Sequence, residues 1–135
     1  MEKKKEKWKG NKYEGHFKNS KREGKGIYYY NDGDKQYEGD WKEDKFEGKG
    51  IFYYKDGNRY EGDWKNGKKE GKGIFYSNNG DRYEGDFKND KSEGQGILYY
   101  NNGDREMGDY VGGRKTGRHV TLEKDGKIKS KIYPH

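Results

Sequence analysis

The chain has 135 residues, 25% of them hydrophobic and 41% charged, with a net charge of +6 and no cysteine. Disulfides, thiol chemistry and cysteine-ligated metal sites are thereby excluded. No apolar run approaches the roughly 20 residues of a membrane-spanning helix. Leu, Ile, Val and Phe together number only 15, a proportion that on its own reads as disorder. Against that stand 22 aromatic residues, 23 glycines and no alanine, a poor composition for helix and a workable one for sheet.

The first segment, residues 1–12, holds six Lys and two Glu. It reads as a basic N-terminal segment, and with no apolar stretch behind it, no secretory leader is expected. Residues 110–135 are basic as well, with seven Lys/Arg against two Asp/Glu. Between them, residues 13–109 carry 18 basic and 21 acidic side chains. An acidic body with two basic ends argues against nucleic acid as the partner. The ends read as solvated tails, or as Lys3, Lys4, Lys5, Lys7, Arg114, Lys115 and Arg118 set against an anionic membrane surface.

From Tyr13 onward the chain repeats. Tyr-Glu-Gly recurs at Tyr13, Tyr37, Tyr60 and Tyr83. The units are 13–36, 37–59, 60–82 and 83–105, followed by a degenerate copy at 106–128 and a tail at 129–135. The last copy keeps Gly108, Tyr110, Gly117 and Gly126 but has His119 where the others have Gly. A weakened final copy is what the terminal cap of a stacked array looks like.

Each unit reads as a β-hairpin. Tyr37 to Lys42 predicts the first strand, Glu43 to Glu47 a polar turn, and Gly48 to Tyr54 the second strand. Asp56-Gly57 closes the unit, with Asn79-Gly80 and Asn102-Gly103 in later copies, the dipeptides of tight hairpin turns. Links this short leave no room for a parallel crossover. The expected fold is all-β: an elongated, single-layer antiparallel meander of repeated hairpins.

Alternation assigns the faces. On the first strand Tyr37, Gly39 and Trp41 share a face. On the second, Gly48, Gly50, Phe52 and Tyr54 share one and Ile51 and Tyr53 the other. The parity across the hairpin, which alternation leaves open, is taken to bring the two ring-bearing sets together. The ring of Trp41, and of Phe17, Trp64 and Phe87 in its place elsewhere, is expected to lie over glycines of a neighbouring strand and cover backbone they leave bare. Ile27, Ile51, Ile74, Ile97 and Val120 form a second apolar row. Like charges recur about 10 Å apart, near the Debye length, so their repulsion is small.

The unit Y-E-G-(D/E)-W-K…G-x-G…Y-x-x-G, seen complete at 37–57, closely resembles the MORN motif (membrane occupation and recognition nexus). The resemblance covers about residues 13–128. It implies an elongated single sheet serving as a non-catalytic scaffold or adaptor in cytoskeletal, ciliary or membrane-junction settings, and a cytoplasmic, cytoskeleton- or membrane-associated location. Three departures stand out: Ile51 and Tyr53 sit where family members often have polar residues, making the second face more apolar; His16 replaces the acidic residue of the other units; and among the four full units the glycine of the first turn is kept only at Gly67.

No residues assemble an enzyme. His16, His119 and His135 are far apart along a linear ribbon, so neither a metal site nor a triad is expected. The stretch Gly67 to Gly73 lacks the spacing of a phosphate loop. Asn31 to Asp34 lacks the downstream ligands of a calcium loop. No cofactor and no small-molecule substrate are expected. Surface recognition remains: a single-layer sheet leaves apolar surface open, and such patches mark interfaces. The candidate groove for a protein partner or a second copy is Tyr37, Trp41, Phe52, Tyr60, Trp64, Phe75, Tyr83 and Phe87. Contact with an anionic membrane through the basic ends is the alternative.

Overall fold

Two kinds of turn shape this chain. In a computed structural model that describes residues 2–8 and 10–132, the turns Asn19-Ser20, Glu43-Asp44, Asn66-Gly67, Asn89-Asp90 and Gly112-Gly113 each place both central residues at positive φ. A two-residue turn of that hand matches the natural twist of antiparallel strands. The turn expected over residues 43–47 is therefore shorter, and the strand after it begins at Lys45. At the other edge only the glycine has positive φ, 94° at Gly57. There the Gly57 amide donates to Tyr54 O at 3.1 Å, and Tyr54 N donates to Asn58 O at 2.9 Å. The Asp56-Gly57 dipeptide thus sits in a longer loop than a two-residue turn.

Between these turns run β1 (Glu2–Trp8), β2 (Asn11–Lys18), β3 (Lys21–Tyr29), β4 (Lys35–Lys42), β5 (Lys45–Tyr53) and β6 (Arg59–Lys65). They continue as β7 (Lys68–Tyr76), β8 (Arg82–Lys88), β9 (Lys91–Tyr99), β10 (Arg105–Val111), β11 (Arg114–Leu122) and β12 (Ile128–Ile132). All twelve form one antiparallel sheet in sequence order. Pairing reaches into both segments read as basic ends: Lys5 pairs with Glu14, and Val120 with Lys131. Backbone pairing needs no apolar side chains, only the unpaired donors and acceptors at the edge of the neighbouring strand. Lysine-rich outer strands also blunt an open edge against joining another sheet.

The register fixes the faces. Tyr37 stands opposite Phe52, Gly39 opposite Gly50, and Glu38 opposite Ile51. Within each two-residue hairpin the ladder then slips, so that Glu47, Gly48 and Lys49 bulge against Asp40 before Phe46 pairs with Trp41. Gly48 takes φ 67° in that bulge. The Asp40 carboxylate holds it by accepting the Lys49 amide at 3.0 Å, and Asp63 accepts the Lys72 amide at 3.2 Å in the next unit. The bulge explains why the units at 37–59, 60–82 and 83–105 carry Asp five residues before the Lys-x-Glu-Gly segment, a place taken by His16 in the first unit.

Neighbouring hairpins are stitched at both edges. Glu23 accepts the Glu43 amide at 2.8 Å, Glu47 the Asn66 amide at 3.2 Å, and Glu70 the Asn89 amide at 3.0 Å. At the opposite edge Asn78 N donates to Asn58 Oδ1 at 2.8 Å, and Asn101 N to Asp81 Oδ1 at 2.7 Å. Each such bond contributes on the order of 1 kcal/mol.

A single layer still builds a core, all of it on one face. Tyr13, Phe17, Tyr37, Trp41, Tyr60, Trp64, Tyr83, Phe87 and Tyr110 are buried there. Their rings meet edge to face, Tyr37 with Trp41 at 5.2 Å and with Trp64 at 5.6 Å between centroids. Such pairs add about 0.5–1.5 kcal/mol each beyond the area they bury.

Candidate partner-binding face

The tyrosine that opens each unit lies flat over the glycine pair, not the tryptophan. A Cβ on Gly50 would fall inside the Tyr37 ring, and one on Gly73 inside the Tyr60 ring. The hydroxyl beyond the glycines donates to a backbone carbonyl: Tyr37 to Asp40 O at 2.8 Å, Tyr60 to Asp63 O at 3.0 Å. Trp41 also reaches glycine backbone, by donating from Nε1 to Gly26 O at 3.1 Å, and Trp64 donates to Gly50 O at 3.0 Å. The expected covering of glycine by rings therefore holds, with Tyr supplying the ring and Trp a hydrogen bond. Burial drives the phenol pKa values up, to about 12 for Tyr13 and further for Tyr37 and Tyr60.

This packing changes which groove residues can meet a partner. Tyr37 and Tyr60 are 0% exposed, Trp41 4%, Trp64 5%, Phe87 7% and Tyr83 9%. All six lie together on the ring face, as the alternation implied, but they serve as the sheet's own core. Phe52 and Phe75 remain half-buried at its surface. Tyr28, Phe46, Tyr54 and Leu98 join them there, packed partly buried against the same core. Tyr28 and Leu98 hold the Phe52 slot in their own units, so the repeat alignment could have found them. Phe46 was hidden by the overlong turn.

One slot on this face changes from each unit to the next: Arg22, Phe46, Lys69, Ser92 and Lys115. Phe46 stacks on Tyr37 at 3.9 Å and 8°. The Arg22 guanidinium sits 4.8 Å from the Trp41 ring and donates from Nε to Asp44 Oδ1 at 3.0 Å. Burial opposes ionisation of Asp44, yet the Arg22 amide and guanidinium overcome it and hold its pKa below the usual value. The Lys69 ammonium lies among Tyr54, Tyr60 and Phe75, about 5 Å from each ring, and its hydrogen-bond partner is the Tyr54 hydroxyl. Burial lowers its pKa, with Asp90 opposing.

The opposite face is a set of paired charges around apolar rows. Arg59 and Arg82 lie 3.9 Å from the Tyr76 and Tyr99 rings, and each also donates to a glutamate two residues on. Lys25, Lys49 and Lys72 pair with Asp40, Asp63 and Asp86 across strands. Ile51 pairs with Glu38 and Glu61. That mixed face offers less continuous apolar area than the ring face.

The residues named for lipid contact fall into separate groups. Lys4 and Lys5 are exposed on β1, while the side chains of Lys3 and Lys7 lie outside those described. Arg114, Lys115 and Arg118 lie on β11. Ten strand spacings along the sheet put the two groups on the order of 50 Å apart. Lys115 is further engaged, its ammonium 2.9 Å from Glu106. Of the histidines, His16 on β2 and His119 on β11 do not meet, and His135 lies outside the described residues. Among the described residues no group of three or more His, Asp or Glu could hold a metal ion.

Sequential hairpins of one length, stitched unit to unit with the core on one face, define a single-layer β-repeat protein. Residues 13–35, 37–59, 60–82 and 83–105 each match the MORN repeat, and the chain belongs to that family. Repeats of this type are non-catalytic and are generally found in membrane-associated or scaffold proteins. A comparison with curated proteins returned no match.

Proposed function

We propose that the chain is a non-catalytic scaffold that holds a protein segment along its ring face. The observation that carries this reading is the half-buried row Tyr28, Phe52, Phe75 and Leu98, set on a core already sealed beneath it. The sealed rings make the row rigid, so a partner meets preorganised apolar surface and does not have to order it. Aromatic side chains give large contact area with few rotors. The changing slot at Arg22, Phe46, Lys69 and Ser92 supplies what identical units lack, a different chemistry at each step along the face.

The test replaces surface rings and leaves the core alone. Phe52→Ser with Phe75→Ser is expected to abolish recovery of the partners that the unaltered chain captures from its native cell, with circular dichroism unchanged. Recovery of the same partners at the same strength by the double variant overturns the reading. Contact with anionic lipid through the two ends has less support, because the basic groups are separated and Lys115 is internally paired. It predicts binding to anionic vesicles that fades steeply with salt.

A further inference from the structure

A second surface runs along the edge formed by the two-residue turns. In four successive hairpins the residues closing the turn are both lysine: Lys18 opposite Lys21, Lys42 opposite Lys45, Lys65 opposite Lys68, and Lys88 opposite Lys91. All eight are exposed. Among the described residues none of them forms an ion pair, although the lysines one row inward at 25, 49 and 72 all do. The nearby Glu23, Glu47 and Glu70 are held by the amides of the following turns.

The arrangement does not serve stability. Like charges directly opposite each other in an antiparallel pair are destabilising. The residues around the lysines differ freely from unit to unit, Asn-Ser, Glu-Asp, Asn-Gly and Asn-Asp within the turns and Arg22, Phe46, Lys69 and Ser92 just after them. The lysine pairs are the same in all four.

From charge and spacing we infer that this edge is a rail for an acidic, extended polypeptide segment. Successive lysine pairs are two strands apart, about 9.6 Å at the usual strand spacing. A polyproline II segment advances about 9.3 Å per three-residue turn and presents every third side chain on one side. Acidic residues at every third position would each meet one lysine pair. The rail lies apart from the half-buried rings, so its failure leaves the ring-face reading standing.

The probe is a fluorescein-labelled peptide of repeated Glu-Pro-Ser, about 15 residues long to span the four pairs. Its control has the same composition with the glutamates gathered at one end. Anisotropy titration at low salt is expected to give tighter binding for the spaced peptide by about fivefold, with steep weakening as salt approaches physiological strength. Replacing Lys42, Lys45, Lys65, Lys68, Lys88 and Lys91 with Gln is expected to weaken binding by at least about tenfold while the melting temperature holds or rises. Replacing Lys35, Lys55, Lys124 and Lys127, on the opposite edge, is expected to leave it unchanged. The proposal is overturned if the two peptides bind equally, or if the six-lysine variant binds like the parent. It is likewise overturned if the rail binds phosphatidylglycerol vesicles and neither peptide, which would make the edge a lipid contact.

Discussion

His119 Nε2 lies 2.8 Å from the carbonyl oxygen of Asp109, the place that the Tyr37 hydroxyl takes against Asp40 O at 2.8 Å. In the fifth unit Glu106 stands where the others have that tyrosine, and His119 where they have the glycine beneath it. The imidazole, rooted on the partner strand, covers Gly108 as Tyr37 covers Gly39 and Gly50. The vacated tyrosine position is filled by a carboxylate 2.7 Å from His119 Nδ1 and 2.9 Å from the Lys115 ammonium. Burial opposes ionisation of Glu106, but Lys115, the Tyr100 hydroxyl and His119 together hold its pKa below the usual range. The degenerate copy is thus a reciprocal exchange of ring and floor between two strands.

That exchange makes the two positions strongly dependent on each other. Glu106→Tyr alone puts a second ring where the imidazole lies, and His119→Gly alone leaves a buried carboxylate with fewer partners. Each single change is expected to destabilise β10 and β11 by about 2–4 kcal/mol. The double change rebuilds the tyrosine-over-glycine arrangement of the other units, so a favourable coupling of about 1–3 kcal/mol is expected. Hydrogen exchange of the β10 and β11 amides in all four proteins measures it. Additive losses would show that the two substitutions are unrelated.

Glycine is required for two different reasons in these repeats. Gly50→Ala drives a methyl into the Tyr37 ring, which is fully buried and cannot turn aside. A loss of about 3 kcal/mol or more is expected, as for overpacking at a rigid site. Gly33→Ala meets no neighbouring atom and is strained only by its φ of 94°. Its cost is expected near 1–2 kcal/mol. Denaturant melts of the two variants check the order, and an equal loss would mean that the ring moves.

The meander and the alternation along each strand could be read from the sequence because a period of two and a period of 23 residues are linear patterns. The ring that rests on glycine could not. Tyr37 and Trp41 share a face, and only side-chain torsions decide which of them lies flat. The tight turn at Glu43-Asp44 was equally hidden, since the dipeptide lacks the glycine that marks such turns. Contacts from the preceding unit hold it there: Glu43 N donates to Glu23, and Asp44 N donates to Arg22 O at 3.0 Å. The groove residues share the ring face, but their accessibility depended on how completely the rings pack together.

The buried phenols set the alkaline limit of the fold. Burial raises the pKa of Tyr13 and Tyr54 to about 12 and of Tyr37, Tyr60 and Tyr83 further, against an ordinary value of 10.0. A pKa raised in the folded state means that the unfolded chain loses these protons first. Their contribution is therefore complete below pH 10 and is lost as pH rises from there through the folded-state values. Each such tyrosine removes about 1.4 kcal/mol per pH unit in that window. With several titrating together, unfolding above about pH 10.5 should be abrupt, and the tyrosinate absorbance should rise in step with loss of the sheet signal. Tyr37→Phe removes one of these groups at the expense of one hydrogen bond, about 1 kcal/mol at neutral pH. The variant should be less stable than the parent at pH 7 and should lose stability less steeply above pH 10. Tyrosinate absorbance that develops fully while the sheet stays intact would show that the rings open to solvent without unfolding, and would break the link between ring burial and stability.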